Sequence, residues 1–175
     1  MLILATDLDG TFLGGRSVHK QQLYRLIRER EDIRLVFVTG RGLETVIPLL
    51  NDPVIPNPDY IICDVGAPIV NGHPLEPIQP LQAGIEHKWP GRLVMQNKLK
   101  KVRGLRWQPV PQVRRCSFFF DETTDFDHLQ RIADASGCDV LKSAGKFVDV
   151  LPGGVNKGSS LNQLVKLLNI NPSHI

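Results

Sequence analysis

The sequence predicts an α/β protein built around a parallel sheet. Three short apolar runs, at residues 2–6, 34–38 and 60–63, alternate with stretches of helical periodicity. Continuous apolar strands are typical of a sheet that is covered on both faces, and the order strand, helix, strand is typical of parallel pairing. Ligands of such sheets bind at the carboxyl ends of the strands, so the residues that follow each run are the first candidates for a functional site.

The helices are predicted from the spacing of apolar side chains. Residues 17–30 carry apolar residues on one face and charged residues on the other, which is the pattern of a helix that covers a core. A second helix is expected after Gly42, and it should end before the proline cluster that begins at Pro53. A third helix, residues 158–169, follows the glycine-rich turn after the apolar run 147–152.

The middle of the chain differs in composition from both ends. Prolines interrupt its start, residues 116–120 have the pattern of a strand, and residues 125–136 have that of an amphipathic helix. We therefore interpret residues 71–146 as a small α+β cap inserted into a core made of residues 1–70 and 147–175. The predicted fold class is a Rossmann-like parallel sheet with this inserted cap.

Two aspartates, Asp7 and Asp9, follow the first apolar run and are succeeded by Gly10 and Thr11. Side chains at positions i and i+2 of a strand share a face, so both carboxylates can point to one volume above the sheet edge. Two anions at that distance need a cation or a shared proton. Oxygen ligands without cysteine or histidine favour a hard divalent ion, Mg2+ before Ca2+. The alternative is a pair of turn residues that end the strand.

Two later segments favour the chemical interpretation of these aspartates. The second apolar run ends in Thr39, Gly40 and Arg41, whose hydroxyl, backbone N–H groups and guanidinium can all bind phosphate oxygens. Lys157 lies at the turn before the last helix and offers a compact positive charge for a phosphoryl group. An aspartate that attacks phosphorus and forms an aspartyl-phosphate is an established use of such a set.

The order of these motifs resembles the haloacid dehalogenase superfamily of aspartate-nucleophile phosphatases. The resemblance rests on residues 7–11, on residues 39–41 and on Lys157 before a helix. Within that superfamily, residues 149–152 followed by residues 156–158 are similar to the Cof-type and sucrose-phosphate-phosphatase-like branch, whose cap lies between the second and third motifs. The resemblance covers essentially the whole chain, and the three motifs in this order make it specific.

The resemblance implies a role for each of these residues. Asp7 would be the nucleophile, and Asp9 would protonate the leaving alkoxide and later activate water; both would contribute metal ligands. Thr39 and Lys157 would hold the non-bridging phosphate oxygens. The other residues that it places near the phosphate are Gly10, Thr11, Gly40 and Arg41, for which turn formation or a solvent-exposed position is the alternative.

The function implied by the resemblance is Mg2+-dependent hydrolysis of a phosphomonoester through an aspartyl-phosphate. The expected substrate is a small phosphorylated metabolite, with a sugar phosphate favoured. A phosphomutase of the same superfamily is an alternative that differs in the acceptor of the phosphoryl group. A receiver module that accepts phosphate on Asp64 is an alternative from another class, against which the long segment between Thr39 and Lys157 counts.

A fourth motif, a glycine-aspartate pair with a further aspartate, would complete the metal ligands in the resembling family. The chain stops at residues 171–175, where the strand before this motif would begin. We therefore expect an incomplete family member with weak activity on its own. Its first strand, residues 2–6, should form an unpaired sheet edge.

Composition excludes several other classes. The 175 residues carry 21 Lys and Arg against 18 Asp and Glu, and this net charge of +3 is too small to indicate a nucleic-acid partner. No apolar stretch approaches the roughly 20 residues that span a bilayer. Cys63, Cys116 and Cys138 lie in apolar segments without metal-type spacing, so we expect buried free thiols and a cytoplasmic location. Oligomeric state is not predicted.

Overall fold

The computed structural model describes residues 1–175, apart from the side chain of Pro172. It contains two four-stranded sheets with helices packed on them. The strands are β1 (Leu2–Thr6), β2 (Ile33–Val38), β3 (Tyr60–Ile62), β4 (Ile69–Asn71), β5 (Arg106–Trp107), β6 (Cys116–Phe119), β7 (Cys138–Ser143) and β8 (Phe147–Pro152). The helices are α1 (Ser17–Glu29), α2 (Leu43–Leu50), α3 (Leu81–Lys88), α4 (Arg92–Leu99), α5 (Phe126–Asp134) and α6 (Lys157–Leu167).

The first sheet has the order β1, β2, β3, β4. The first three strands are parallel, as predicted, and Thr6 of β1 lies opposite Phe37 of β2. The carboxyl ends of these strands therefore meet at one edge, which brings together the residues that follow each strand. Strand β4 runs antiparallel to β3 and was not predicted, because three residues carry too little pattern. Within the described residues, β1 pairs with β2 alone and forms the sheet edge.

Both faces of the first sheet are covered, which explains the continuous apolar runs. Leu35 and Phe37 of β2 point to the cluster formed with α1 and α2. Val36 and Val38 of the same strand point to the opposite cluster, formed with α3 and α6. All four side chains are at most 7% exposed, so alternate residues of one strand fill two separate cores.

The second sheet has the order β5, β6, β8, β7, with every pair antiparallel. Helices α4 and α5 cover one face of it. Their buried side chains Met95, Leu99 and Leu129 pack against Val148 and Val150 of β8 in a third apolar cluster. The strands within residues 106–152 thus form a sheet of their own.

Strand β8 differs from the expectation that residues 147–175 return to the core. Its residues 147–152 pair with β6 and β7, so the second sheet extends to Pro152 and the core resumes at α6. Conversely, Ile85 of α3, inside the segment 71–146, is buried in a core cluster of the first sheet. An apolar run has the same pattern in either sheet, and only its pairing partners decide between them. The division into two domains stays a prediction.

All three cysteines are buried and free, as predicted. Burial raises the pKa of the Cys63 thiol to about 12, which leaves it protonated and unreactive at neutral pH. None of the described helices is both long and apolar enough to cross a membrane.

Candidate active site

The loop after β1 turns two aspartates outward and two apolar side chains inward. Asp7 and Asp9 have extended backbone, and Gly10 has a φ of +73°, a conformation that favours glycine and reverses the chain. Phe12 is buried, and the Tyr24 hydroxyl donates a 2.7 Å hydrogen bond to its carbonyl oxygen. This anchor fixes the loop, so the positions of both carboxylates are set by the backbone.

Asp7 forms an ion pair with Lys157, 150 residues away in the sequence. The Lys157 Nζ donates to Asp7 Oδ1 at 2.7 Å, and both side chains are about two-fifths exposed. Lys157 is the first residue of α6, whose start is fixed because the Asn156 side chain accepts the Ser159 N–H at 2.9 Å. The last helix therefore delivers its lysine to the end of the first strand.

Asp9 is held by Arg41 rather than by Lys157. The guanidinium donates two hydrogen bonds to the Asp9 carboxylate, at 2.9 and 2.5 Å. These bonds hold the pKa of Asp9 below its usual range, although partial burial opposes them. A carboxyl group in this pair is ionised at neutral pH, so a role as proton donor requires Arg41 to release it.

The other predicted phosphate-binding residues, apart from Gly40, do not line the cavity beside the ion pairs. Thr39 is fully buried, and its hydroxyl accepts the Arg41 N–H at 3.1 Å. Gly40 lines the neighbouring cavity, whereas Gly10 and the exposed Thr11 are not part of its described lining. The structure thus brings Asp7, Asp9, Arg41 and Lys157 together, buries Thr39, and leaves Gly10 and Thr11 exposed outside the described cavity lining.

A cavity of about 810 Å³ lies between Asp9, Arg41 and Lys157 on one side and the second sheet on the other. This volume is typical of small-molecule sites. Its wall on the side of the first sheet carries the charged groups of Asp9, Arg41 and Lys157. The opposite wall comes from the second sheet and the loop before β6, namely Gln108, Val110, Pro111, Arg115, Leu141, Ser143, Phe147 and Asp149.

The sequence did not reveal the residues of this opposite wall. Asp149 had the clearest signal, since it is a single charge within an otherwise apolar strand. It is 5% exposed, and its carboxylate accepts a hydrogen bond from the Ser117 hydroxyl. Arg115 gave no signal beside Arg114, because a charged pair in a loop is usually solvent-exposed.

Asp64 follows β3 at the same sheet edge but is buried rather than open to the cavity. It is 4% exposed, and its Oδ1 lies 3.1 Å from Nε of Arg115. Burial raises the pKa of Asp64 to about 6, against the opposing effect of the Arg115 charge. A phospho-acceptor must be reachable by its donor, so Asp64 does not fit the receiver alternative.

The carboxylates of Asp7 and Asp9 are the candidate ligands for a metal ion at this site. Among the residues that the structure describes, no group of three or more His, Cys, Asp or Glu side chains is arranged so that it could hold a metal ion. Asp7 and Asp9 are the two acidic residues of the loop after β1. They offer oxygen ligands, the donor type that a hard divalent ion prefers.

A parallel sheet with paired aspartates after its first strand, a threonine after its second and a helix-borne lysine defines the haloacid dehalogenase class of hydrolases. The model of the sucrose-6F-phosphate phosphohydrolase family matches residues 1–175, and the chain belongs to this family. Family membership confirms the resemblance inferred from the motifs.

Individual relatives carry names of two kinds, a synthase and a phosphatase. The chain is 49% identical over 175 residues to a glucosylglycerol-phosphate synthase of Pseudomonas anguilliseptica, covering 99% of this chain and 23% of the relative. It is 30% identical to sucrose-phosphatase 1 of Nicotiana tabacum, covering 95% of this chain and 42% of that protein. The chain therefore spans less than half of the length of these two curated relatives.

Solved structures show the same fold. The sucrose-phosphatase from Synechocystis sp. PCC6803, in complex with sucrose and phosphate, superposes with a TM-score of 0.81 at 25% identity, covering 99% of this chain and 72% of that chain. A haloacid dehalogenase-like hydrolase from Bacteroides thetaiotaomicron gives a TM-score of 0.62 at 17% identity, covering 97% of this chain and 78% of that chain.

Proposed function

We propose that the protein hydrolyses a sugar phosphate through an aspartyl-phosphate on Asp7, with Mg2+ as cofactor. The observation that carries the proposal is the pairing of Asp7 with Lys157, which lines a cavity together with Asp9 and Arg41. A nucleophile, a candidate acid and two cations are the parts that phosphoryl transfer from an ester requires.

The reaction proceeds in two steps on these residues. An oxygen of the Asp7 carboxylate attacks phosphorus, the bond to the sugar oxygen breaks, and protonated Asp9 gives its proton to the leaving alkoxide. Asp9 then takes a proton from water as that water attacks phosphorus, which releases inorganic phosphate and restores the Asp7 carboxylate. Lys157 neutralises charge on the non-bridging oxygens, and positioning of this kind supplies much of the rate.

Arg41 has a second part in this scheme. While it holds Asp9 in two hydrogen bonds, Asp9 is ionised and is not a proton donor. A substrate phosphate competes with Asp9 for the guanidinium, because a bidentate geometry suits both anions. Arrival of the substrate thereby removes the hydrogen bonds that hold Asp9 ionised, and the negative charge of the phosphate beside it favours uptake of a proton from solvent, which the first step needs.

Mg2+ fits the donor type of the motif. The Asp7 carboxylate and the main-chain carbonyl of Asp9 would hold it, since both are oxygen ligands of the kind that a hard ion prefers. When bound, the ion neutralises negative charge on the phosphoryl oxygens.

The cavity supports a sugar as the leaving group. Gln108, Ser143 and Asp149 offer hydrogen-bonding groups for hydroxyls, while Val110 and Phe147 offer apolar surface for ring carbons. Such a mixture is suited to a polyol rather than to a purely apolar ligand. The Synechocystis relative was solved with sucrose and phosphate, which agrees in class. Buried free thiols are consistent with the reducing, cytoplasmic location that we expect.

The experiment is hydrolysis of phosphorylated sugars by wild type, Asp7→Asn and Asp9→Asn in the presence of Mg2+. We expect Asp7→Asn to abolish turnover, because an amide cannot form the acyl phosphate. Asp9→Asn should lower the rate by roughly 10²- to 10⁴-fold while phosphate analogues still bind. The control is Asp32→Asn, which alters a half-exposed carboxylate paired with Arg30 and should leave the rate unchanged.

Trapping with labelled substrate identifies the acceptor residue. The label should appear on Asp7 and be absent from the Asp7→Asn variant. Label on another carboxylate, or full activity of Asp7→Asn, would contradict the proposal. Release of free phosphate, rather than its transfer to a second sugar, separates the hydrolase from the phosphomutase alternative.

A further inference from the structure

Three charged side chains form a buried bridge between the two sheets, defined here as Asp64, Arg115 and Asp149. Asp64 follows β3 of the first sheet, whereas Asp149 belongs to β8 of the second sheet and Arg115 directly precedes β6. Arg115 Nε lies 3.1 Å from Asp64 Oδ1, and its Nη1 lies 3.5 Å from Asp149 Oδ1. Each of the three side chains is at most 8% exposed.

The buried bridge is a poor device for stability. It contains two carboxylates and one guanidinium, so one negative charge is in excess. Burying charges costs free energy that attraction between them only partly repays. Asp64 Oδ1 and Arg115 Nε face each other, yet neither makes a well-aligned hydrogen bond among the described residues. A role in positioning accounts better for these charges than a contribution to folding.

The backbone of Asp64 is tied to the residues of the candidate active site. Its N–H donates to the carbonyl oxygen of Arg41 at 2.8 Å, and the N–H of Val65 donates to the carbonyl oxygen of Thr39 at 3.1 Å. Asp64 and Val65 have φ values of 46° and 64°, the left-handed region that a β-branched residue rarely adopts. Strained turns of this kind persist where the surrounding structure holds them.

The same turn is fixed to the helix that carries Lys157. The Ser160 hydroxyl of α6 donates to the carbonyl oxygen of Gly66 at 2.8 Å. Gly66 packs so closely on Asn156 that a Cβ would lie 2.6 Å from its carbonyl carbon. Residues 64–66 therefore connect the loop of Arg41 with the start of α6, and Arg115 connects these residues with the second sheet.

We propose that Arg115 is a positioning residue that holds the second sheet on the turn of residues 64–66 and so fixes the width of the cavity. The proposal rests on the proposed function for its kinetic consequence. A sugar phosphate must reach both walls at once, the phosphate at Lys157 and the hydroxyls at the second sheet. A small aryl phosphate needs only the first wall. Loss of the buried bridge should therefore affect the sugar phosphate more.

Asp64→Asn is the first test, because asparagine keeps the shape of the side chain, tolerates the left-handed backbone and removes the charge. We expect kcat/KM for the sugar phosphate to fall by roughly tenfold or more, the size of effect that a small misplacement produces. With 4-nitrophenyl phosphate it should change much less, and resistance to urea should not decrease. Equal losses on both substrates, or a loss that follows stability, would overturn the proposal.

Arg115→Met and Arg114→Met form a matched pair of neighbours. Arg114 pairs with the half-exposed Glu86 instead of with the buried carboxylates. Arg115→Met leaves two buried anions, so it is also combined with Asp64→Asn, which restores the wild-type net charge of −1 in the bridge and favours a folded chain. We expect the Val65 amide to exchange with deuterium at least tenfold faster in both Arg115 variants and at the wild-type rate in Arg114→Met.

Unchanged exchange at Val65 in the folded Arg115 variants would overturn the positioning role. This readout does not depend on turnover. If the wild-type protein hydrolysed no phosphomonoester, the proposed function would fail while the exchange comparison would still decide whether Arg115 holds the turn.

Discussion

Asp64 makes the stability of the protein depend on pH. Burial raises its pKa to about 6 in the folded state, from an ordinary value of 3.8, and the facing charges of Arg115, Asp149, Arg114 and Glu44 partly cancel. Between these two pH values the folded chain binds a proton that the unfolded chain releases. Stability is therefore highest below pH 3.8 as far as Asp64 is concerned, and it falls as pH rises to 6.

We expect Asp64→Asn to remove this fall. The difference in unfolding free energy between the variant and wild type should grow in favour of the variant from pH 4 to pH 7, by about 3 kcal/mol at most. Urea unfolding at several pH values measures it, with Asp32→Asn as the control. Parallel curves for wild type and Asp64→Asn would show that Asp64 is ionised in the folded state at the lower pH values too.

The residues of the candidate site were predictable to different degrees. Asp7 and Lys157 could be placed together from the resemblance of the motifs, which puts both at the phosphoryl group. Sheet geometry alone would not have predicted the pair, because the strand before Lys157 belongs to the second sheet. The pairing of Asp9 with Arg41 could not be predicted, because a long, flexible arginine side chain can reach several acidic partners. The role of Arg115 could not be predicted for another reason. Its partner Asp64 follows a strand of the other sheet, and no sequence pattern indicates that these two segments pack together.

At the scale of elements, the turn of residues 64–66 contacts three other parts of the fold: the loop after β2, helix α6 and the second sheet. Gly66 is its tightest point, with a φ of +126° and a Cβ position 2.6 Å from the Asn156 backbone. An alanine at this position would be destabilising for two reasons. Its backbone would have an unfavourable positive φ, and its Cβ would clash with backbone atoms of Asn156, which cannot move as a side chain can.

We expect Gly66→Ala to lower the unfolding free energy by more than the ~1 kcal/mol of an alanine at positive φ, and to lower kcat as Asn156 and then Lys157 shift. Gly145→Ala is the matched control. Gly145 also has a positive φ, of +65°, but a Cβ there would contact no atom within 4 Å. Urea unfolding and kcat measure both effects. Equal losses in the two variants would mean that conformation alone, and not contact with α6, matters at Gly66.

The elements themselves followed from pattern where an apolar face or a helix-breaking residue marks them in the sequence. Helices α1, α2 and α6 were predicted to within about two residues, since each has a clear apolar face or a glycine-rich start. Helices α3 and α4 were missed, because prolines and a run of lysines conceal their periodicity. Strand β8 was recognised as a strand but assigned to the core, because the partner of a strand is set by packing rather than by its own composition.

At the scale of the whole molecule, the cavity exists only because two sheets face each other. The charged groups proposed to act on the phosphate lie at the edge of the first sheet and at the start of α6. The groups that would contact a sugar lie on the second sheet and the loop before β6. The loop of residues 108–111 closes one side of the cavity, and a Cβ at Gly42 would lie 3.2 Å from the carbonyl oxygen of Pro111. This loop therefore packs against the residue before α2, and its prolines limit the conformations that it can adopt.

Replacing Pro109, Val110 and Pro111 by Gly-Ser-Gly should separate substrate selection from chemistry. The loop would lose its stiffness and the apolar contact of Val110, while Asp7 and Lys157 lie outside it. We expect KM for the sugar phosphate to rise roughly tenfold, the discrimination that one apolar contact in a pocket provides. Turnover of 4-nitrophenyl phosphate should stay within about twofold, since positioning of the nucleophile is unchanged.

The same replacement in the exposed turn of residues 121–123, which lies outside the described cavity lining, is the control and should leave both substrates unaffected. Steady-state kinetics on the two substrates and urea unfolding of each variant complete the comparison. An unchanged KM for the sugar phosphate would mean that the loop does not face the sugar. A parallel loss on both substrates would mean that the loop supports the catalytic residues instead, because only the first wall of the cavity is common to the two reactions.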